Sequence, residues 1–225
     1  MGALRILSQG TMLLRSRREA GRLLAGALQA YRQSEPVVVG IPRGGVVVAD
    51  EIARQLQAEM DILLSRKLRT PGYEELAMGS LAEDGQLFLN QELLRDLDVS
   101  PEFVQRENDF QMAEIKRCST VYRRELRRVS LVGRVVIVTD DGVATGATIR
   151  AALWAIRMEK PSRLIAAYPV GPEETIRKLA DDADETVCLL APPDFSSVGQ
   201  FYASFEPVED EEVLVILKRQ ASRQA

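Results

Sequence analysis

The chain has 225 residues, 46% hydrophobic and 28% charged, with a net charge of −4. That length suits a domain with a sizeable core, and the net charge excludes a global electrostatic footprint for nucleic acid. Histidine is absent, which removes the usual general base, the commonest metal ligand and every Ser-His or Cys-His nucleophile.

The opening MGALRILSQGTMLLRSRR has a short apolar stretch but no uninterrupted signal-peptide core. Residues 1–11 read as an extension ahead of one domain over 12–225, with Met12 a second candidate start. Arg17 to Tyr31 carries Ala20, Leu23, Leu24, Ala27 and Leu28 at helical spacing. The basic runs Arg15–Arg18 and Arg123–Arg128 read as solvated helix faces. Val37–Ile41 is a short apolar run of the kind found in buried parallel strands. A turn, Pro42–Gly45, and a helix, Val46–Gln57, follow. Met60–Ser65 reads as a second strand. From Arg69 to Gly85 the pattern fails, and TPGYEELAMGSLAEDG reads as a long loop or flexible hairpin. Gln86–Asn90 reads as a strand and Gln91–Leu97 as a short helix. Ser100 and Pro101 open another helix as N-cap and first position. It is expected to run to Leu126, with Phe103, Phe110, Ile115, Cys118, Tyr122 and Leu126 inward.

Val135–Val138 is a third strong strand, and the loop Asp140–Thr148 feeds a helix, Ala147–Arg157. A strand Leu164–Val170, a helix Glu173–Ala180 and a strand Thr186–Leu190 come next. The end is a Pro- and aromatic-rich stretch, Ala191–Phe205, and a helix from Asp210. Strands alternating with helices imply a mostly parallel α/β sheet. Cys118 and Cys188 lie far apart without metal-ligand spacing, which fits a reducing, cytoplasmic setting. No run is long enough to span a bilayer.

The segment from Val135 to Thr148 carries the most chemistry. Asp140 and Asp141 sit where an apolar strand emerges, ahead of a Gly- and Thr-rich loop and a helix N-terminus. The loop amides, the Thr145 and Thr148 hydroxyls and the positive helix end suit a phosphate. The carboxylates suit hydroxyl groups, from which they accept charge-assisted hydrogen bonds. Together these are the needs of a ribose 5-phosphate. An acidic strand end with an ordinary helix cap explains neither the paired Asp nor the TGAT loop. A methyltransferase-like glycine loop fails because only Gly142 and Gly146 are present.

DDGVATGAT resembles the signature by which type I phosphoribosyltransferases bind 5-phosphoribosyl-1-pyrophosphate (PRPP). The resemblance covers roughly Val37 to Leu190, taken as the domain core. It implies a three-layer α/β/α fold with a mostly parallel sheet, a flexible flap and a small C-terminal hood, here residues 191–222 with the last helix. It also places the loops after the first and fourth family strands face to face. RREAGRLLA, PGYEELAMGSLAEDG and FYASFEPVEDEEV resemble a bacterial group within that family.

By that resemblance, Asp140 and Asp141 would hold the ribose hydroxyls, and Gly142, Val143, Ala144, Thr145, Gly146, Ala147 and Thr148 the 5-phosphate. Arg43, Gly44 and Gly45, a weak signal alone, match the pyrophosphate loop, where unusual peptide geometry such as a cis bond is expected near Arg43. Arg66 and Lys67 match the basic pair under the flap, and Lys67 joins Asp140 and Asp141 as catalytic. Magnesium would be held by PRPP oxygens and water, with no dedicated protein cage. The reaction would release pyrophosphate as a nucleobase or related nitrogen acceptor takes the phosphoribosyl group.

Ala144 stands where 6-oxopurine enzymes carry an acid, and the strand end Ala167–Gly171 lacks their lysine, so a 6-oxopurine is disfavoured. Phe195, Phe201 and Tyr202 sit where the hood would cover the acceptor, either stacking on it or packing the hood. A general base is left open among Glu74, Glu75, Glu83 and Asp84. A homodimer is common in the family; neither a nucleic acid nor a membrane partner is expected. Two other classes stay open: a non-catalytic PRPP- or nucleotide-binding regulator of the same fold, and a phosphohydrolase using the Asp pair on a metal.

Overall fold

A strand covered on both faces must be apolar throughout, and the runs VVVG, VVIVT, LIAAYPV and TVCLL meet that demand. In the computed structural model, which describes residues 2–10 and 12–224 without the side chains of Glu74 and Glu75, they become the centre of the molecule. The elements in chain order are β1 (Ala3–Ser8), α1 (Arg17–Ala27), a 3-10 turn (Gln29–Ser34), β2 (Val37–Gly40), α2 (Gly44–Leu56) and β3 (Glu59–Ile62). Then come β4 (Ser65–Thr70), β5 (Tyr73–Ala82), β6 (Leu87–Leu89), α3 (Gln91–Asp96) and α4 (Pro101–Tyr122). The chain continues through β7 (Val135–Thr139), α5 (Ala147–Met158), β8 (Arg163–Val170), α6 (Glu173–Leu179), β9 (Glu185–Leu190), a 3-10 turn (Val198–Phe201) and α7 (Asp210–Gln224).

Among the described residues the strands form two sheets. Six lie in the order β1-β9-β8-β7-β2-β3, all parallel, and β4-β5-β6 form a separate antiparallel sheet. One core cluster gathers α1, α2 and α7 on one face of the large sheet through Leu24, Ile52, Ile137, Ile165 and Ile216. The other packs α5 and α6 on the opposite face through Val136, Val138, Leu153, Ile156 and Ile176. The expected three layers are therefore present. No helix among the described residues is long and apolar enough to cross a membrane.

Three local expectations need correction, and a fourth, the loop or hairpin at Arg69–Gly85, resolves to the hairpin. Ala3–Ser8, read as part of an extension, is the edge strand β1, paired in parallel with β9 from Ala3↔Glu185 to Ser8↔Leu190. Its Leu4 and Ile6 are half-buried against the sheet core, a pattern too short to read without its partner. The stretch from Arg69 to Gly85 is a hairpin strand and turn with its own apolar face: Met78 and Leu81 are fully buried, as is Leu68 just before it. Alternation is hidden because β5 packs against both α4 and α5. Gly79 admits β6, since a Cβ there would overlap the Phe88 carbonyl. On α4, Ile115 and Tyr122 are buried, but Phe110 is 54% exposed, and the helix stops at Tyr122.

Finally, the basic runs are not simply solvated. Arg18 meets Asp50, Glu51 and Glu212. Arg123, its side chain 16% exposed, clamps Asp61 of β3 to Glu83 at the root of the hairpin and donates to the Ile62 carbonyl at 3.0 Å.

Candidate functional site

The sheet order changes direction between β2 and β7, which pair in register from Val37↔Val136 to Gly40↔Thr139. Loops leaving such neighbours open a crevice at the carboxyl ends of the strands. Ile41 N–H donates to the Thr139 carbonyl at 3.0 Å, so the two strand ends stay together. Beyond them, Arg43–Gly45 meets Asp140–Asp141. A Cβ on Gly44 would overlap the Asp141 carboxylate, and one on Gly45 would lie 2.8 Å from Asp140 Cα. The two glycines are thus required by close approach of backbone to the acid pair. The Pro42–Arg43 peptide bond is cis, at the place where unusual geometry was expected.

The acid pair is heavily partnered. Asp140 accepts from the Asp141 N–H at 2.8 Å. Burial, and then the neighbouring charge of Asp141, push the Asp140 carboxyl well above the usual carboxylate range. Arg17 Nε donates to Asp141 Oδ2 at 2.7 Å, with the two side chains 11% and 18% exposed. Arg17 Nη1 donates to the Glu206 carbonyl at 2.8 Å, and the guanidinium lies 3.9 Å over the Phe205 ring. Tyr202 Oη donates to the Asp141 carbonyl at 2.7 Å. Burial holds that phenol protonated.

This arrangement bears on the hood aromatics. Tyr202 stacks on Phe205 at 4.9 Å, and Phe195 on Phe201 at 5.6 Å. Phe201 and Tyr202 are 5% and 6% exposed. Neither offers a free face to an acceptor; Tyr202 ties the hood to the acid pair, and Phe201 packs into the core. Phe195 is half-buried and borders a separate cavity with Pro192, Pro193, Glu173 and Glu174.

The loop Gly142–Thr148 is tied down behind and open in front. Val143 is buried, and its N–H donates to the Val170 carbonyl at 2.8 Å. Gly142 packs on Val198, where a Cβ would collide. Gly146 caps α5 at φ +81°, a conformation that suits glycine. Ala144, Thr145 and Thr148 are exposed and Ala147 partly so, leaving hydroxyls and the helix N-terminus facing out.

Beside the Arg43 loop lies a cleft of about 670 Å³. Arg43, Arg66, Lys67 and Thr148 all line it, so the structure gathers the cations singled out for pyrophosphate with the end of the Gly142–Thr148 loop. Arg66 and Lys67 lie near the start of β4. The far wall is α4, with Gln111, Glu114 and Arg117, which sequence reasoning left unassigned. Arg43 pairs with Glu209 at 3.2 Å, and Arg66 with Glu114 at 3.8 Å. Asp140 and Asp141 do not line this cleft.

Of the open base candidates, Glu83 is tied to Arg123 and Arg128, and Asp84 to Arg128. The side chains of Glu74 and Glu75 lie outside the described residues. Among the described residues, no group of three or more acidic or cysteine side chains could hold a metal ion.

A family model described as the phosphoribosyl transferase domain matches residues 9–206. The chain is 40% identical over 207 residues to a Mycobacterium tuberculosis protein named "Putative phosphoribosyl transferase", covering 92% of this chain and 47% of that protein. It therefore spans about half the length of the curated relatives it matches. The crystal structure of TT1426 from Thermus thermophilus superposes with a TM-score of 0.88 at 43% identity, covering 93% of this chain and 100% of the other.

Proposed function

Because this chain belongs to the phosphoribosyl transferase domain family, we propose that it moves the 5-phosphoribosyl group from PRPP to a nucleobase or related nitrogen acceptor and releases pyrophosphate. The observation that carries the reading is the close approach of Gly44 and Gly45 to Asp140 and Asp141 across the β2–β7 crevice. It sets a cation-flanked loop against a diol acceptor and an open phosphate loop, an arrangement that one phosphorylated sugar would bridge.

In this reading Asp140 and Asp141 accept the ribose hydroxyls. The loop amides other than that of Val143, which is spent on the Val170 carbonyl, and the hydroxyls of Thr145 and Thr148 hold the 5-phosphate at the start of α5. Arg43, Arg66 and Lys67 hold the pyrophosphate. The C–O bond to pyrophosphate breaks at the anomeric carbon as the acceptor nitrogen approaches, through an oxocarbenium-like state. The residues therefore act by positioning and by electrostatics, with Lys67 taking charge that develops on the leaving group. Magnesium would arrive with the substrate, held by PRPP oxygens and water, because cations dominate the cleft rim. When bound it would neutralise pyrophosphate charge.

The test is pyrophosphate release from PRPP and magnesium across purine, pyrimidine and small amine acceptors, with Asp140→Asn/Asp141→Asn as control. Acceptor-dependent release that the control abolishes is the expected result. PRPP binding without release for any acceptor would favour a regulator of the same fold, and no PRPP binding would sink the reading.

A further inference from the structure

Arg17 touches the acid pair, the hood and the glycine loop together. It opens α1, just after the N-cap Ser16, and reaches Asp141 across 124 residues of chain. Its fork places Nε on Asp141 Oδ2 and Nη1 on the Glu206 carbonyl, while its plane lies over Phe205. A Cβ on Gly44 would come within 3.0 Å of the same Nε. A guanidinium can bond in two directions and stack on a ring at once; a lysine ammonium cannot reproduce that geometry. Only 11% of the side chain is exposed, so the ion pair is shielded from screening by water.

We propose that Arg17 is a positioning residue for the ribose end of PRPP: it fixes the Asp141 carboxylate for the sugar hydroxyls and fastens the hood peptide Phe205–Glu206 to that same carboxylate. This rests on the reading of Asp140 and Asp141 as the ribose acceptors. Two carboxylates side by side repel, and Arg17 is the cation set against the second of them. A carboxylate has about four acceptor sites. With one bond from Nε on Oδ2, Asp141 keeps capacity for the substrate while losing its freedom to rotate. The hood is placed by the substrate-binding carboxylate itself, so ribose site and hood form one unit.

The experiment is calorimetric titration of PRPP and, separately, of inorganic pyrophosphate, each with magnesium. It compares wild type, Arg17→Met, Arg17→Lys, Asp141→Asn and Arg17→Met/Asp141→Asn. Losing a hydrogen-bonded charge at a ligand-orienting group predicts PRPP binding weakened roughly 10- to 100-fold in Arg17→Met. Pyrophosphate, which has no sugar, should change less than about threefold. Arg17→Lys keeps the charge but not the fork, and should lose at least about fivefold for PRPP alone; it carries the test if Arg17→Met does not fold. In the Asp141→Asn background, Arg17→Met should cost less than about threefold more, because the partner is already gone. A folded Arg17 variant that binds PRPP as well as wild type, or that loses PRPP and pyrophosphate equally, would overturn the assignment. So would full additivity in the double variant. Wild type that binds pyrophosphate but not PRPP would instead remove the ribose reading beneath it.

Discussion

The two ends of the proposed PRPP site are built in opposite ways. At the ribose end, Arg17, Asp141, Tyr202 and Phe205 come from three separate stretches of chain and satisfy one another, with Arg17 and Asp141 only 11% and 18% exposed. At the cleft end, Arg43 and Arg66 are 46% and 44% exposed, and their partners Glu209 and Glu114 are 67% and 37% exposed. Exposed pairs of this kind contribute about 0–1 kcal/mol each. A polyanion can therefore replace those carboxylates at little cost, whereas the ribose end is organised before any ligand arrives. The difference assigns rigidity to the end that must orient a neutral sugar and exchangeability to the end that must release pyrophosphate.

The strongest challenge to that contrast lies at the hairpin root, a rigid piece on the cleft side. Arg123→Met would leave Asp61 buried beside Glu83 without its cation, at a cost of about 3–5 kcal/mol. Burial already raises the Asp61 carboxyl above its ordinary value. An acid raised in the folded state loses stability as pH climbs from its unfolded value through the folded one. The variant raises it further, so its deficit should be larger at about pH 8 than at about pH 5. Urea unfolding at both pH values checks this, and a loss under about 1 kcal/mol would show that Arg123 does not clamp the cleft wall.

Gly45→Ala comes next, because it forces the two ends apart. The new methyl would sit 2.8 Å from Asp140 Cα and 2.9 Å from the Thr139 carbonyl, both backbone atoms that cannot swing aside. A cost of about 1–3 kcal/mol is expected, together with loss of PRPP binding. Thermal unfolding and calorimetry read the two effects separately. Retained PRPP binding would mean that the loop approach does not form the site.

Asp140→Asn sharpens the contrast from the ribose side. Asp140 is pushed up by burial and by Asp141, so between its unfolded and folded values the native state holds a proton that the unfolded chain has lost. Stability therefore falls as pH rises across that window. An amide can still accept the Asp141 N–H and brings no charge against Asp141. The variant should gain on the order of 1 kcal/mol at neutral pH, flatten the slope above the ordinary carboxylate range, and bind PRPP poorly. An unchanged slope would refute Asp140 as its source.

What could be read from residues alone was local. The strand, acid pair and TGAT loop lie within one contiguous segment, and so does the Arg43–Gly45 turn; the parallel sheet then follows from alternation of strands and helices. Partnerships across the chain could not be read. Arg17 looks like any helix-face cation until the start of α1 meets the loop after β7, and its partner stands 124 residues away. Strand β1 needs β9 to become a strand, and the hairpin hides its face because helices cover both sides. For Phe201 and Tyr202 the residue types allow either stacking on an acceptor or packing, and only their buried positions decide for packing.

The smallest expected effect tests exchangeability directly. Glu209→Gln removes the carboxylate nearest Arg43 while keeping shape, and both side chains are exposed, so stability should move by less than about 0.5 kcal/mol. Pyrophosphate would no longer compete with that carboxylate for the guanidinium. Its binding at low salt should tighten by about two- to fivefold, with most of the gain screened away near roughly 0.5 M salt. Asp210 stays as a weaker partner at 4.0 Å and itself accepts from the Tyr122 hydroxyl at 2.6 Å, which is why the gain stops short of about tenfold. Weaker pyrophosphate binding in the variant would mean that Glu209 orients Arg43 for its ligand. The cleft end would then be as organised as the ribose end.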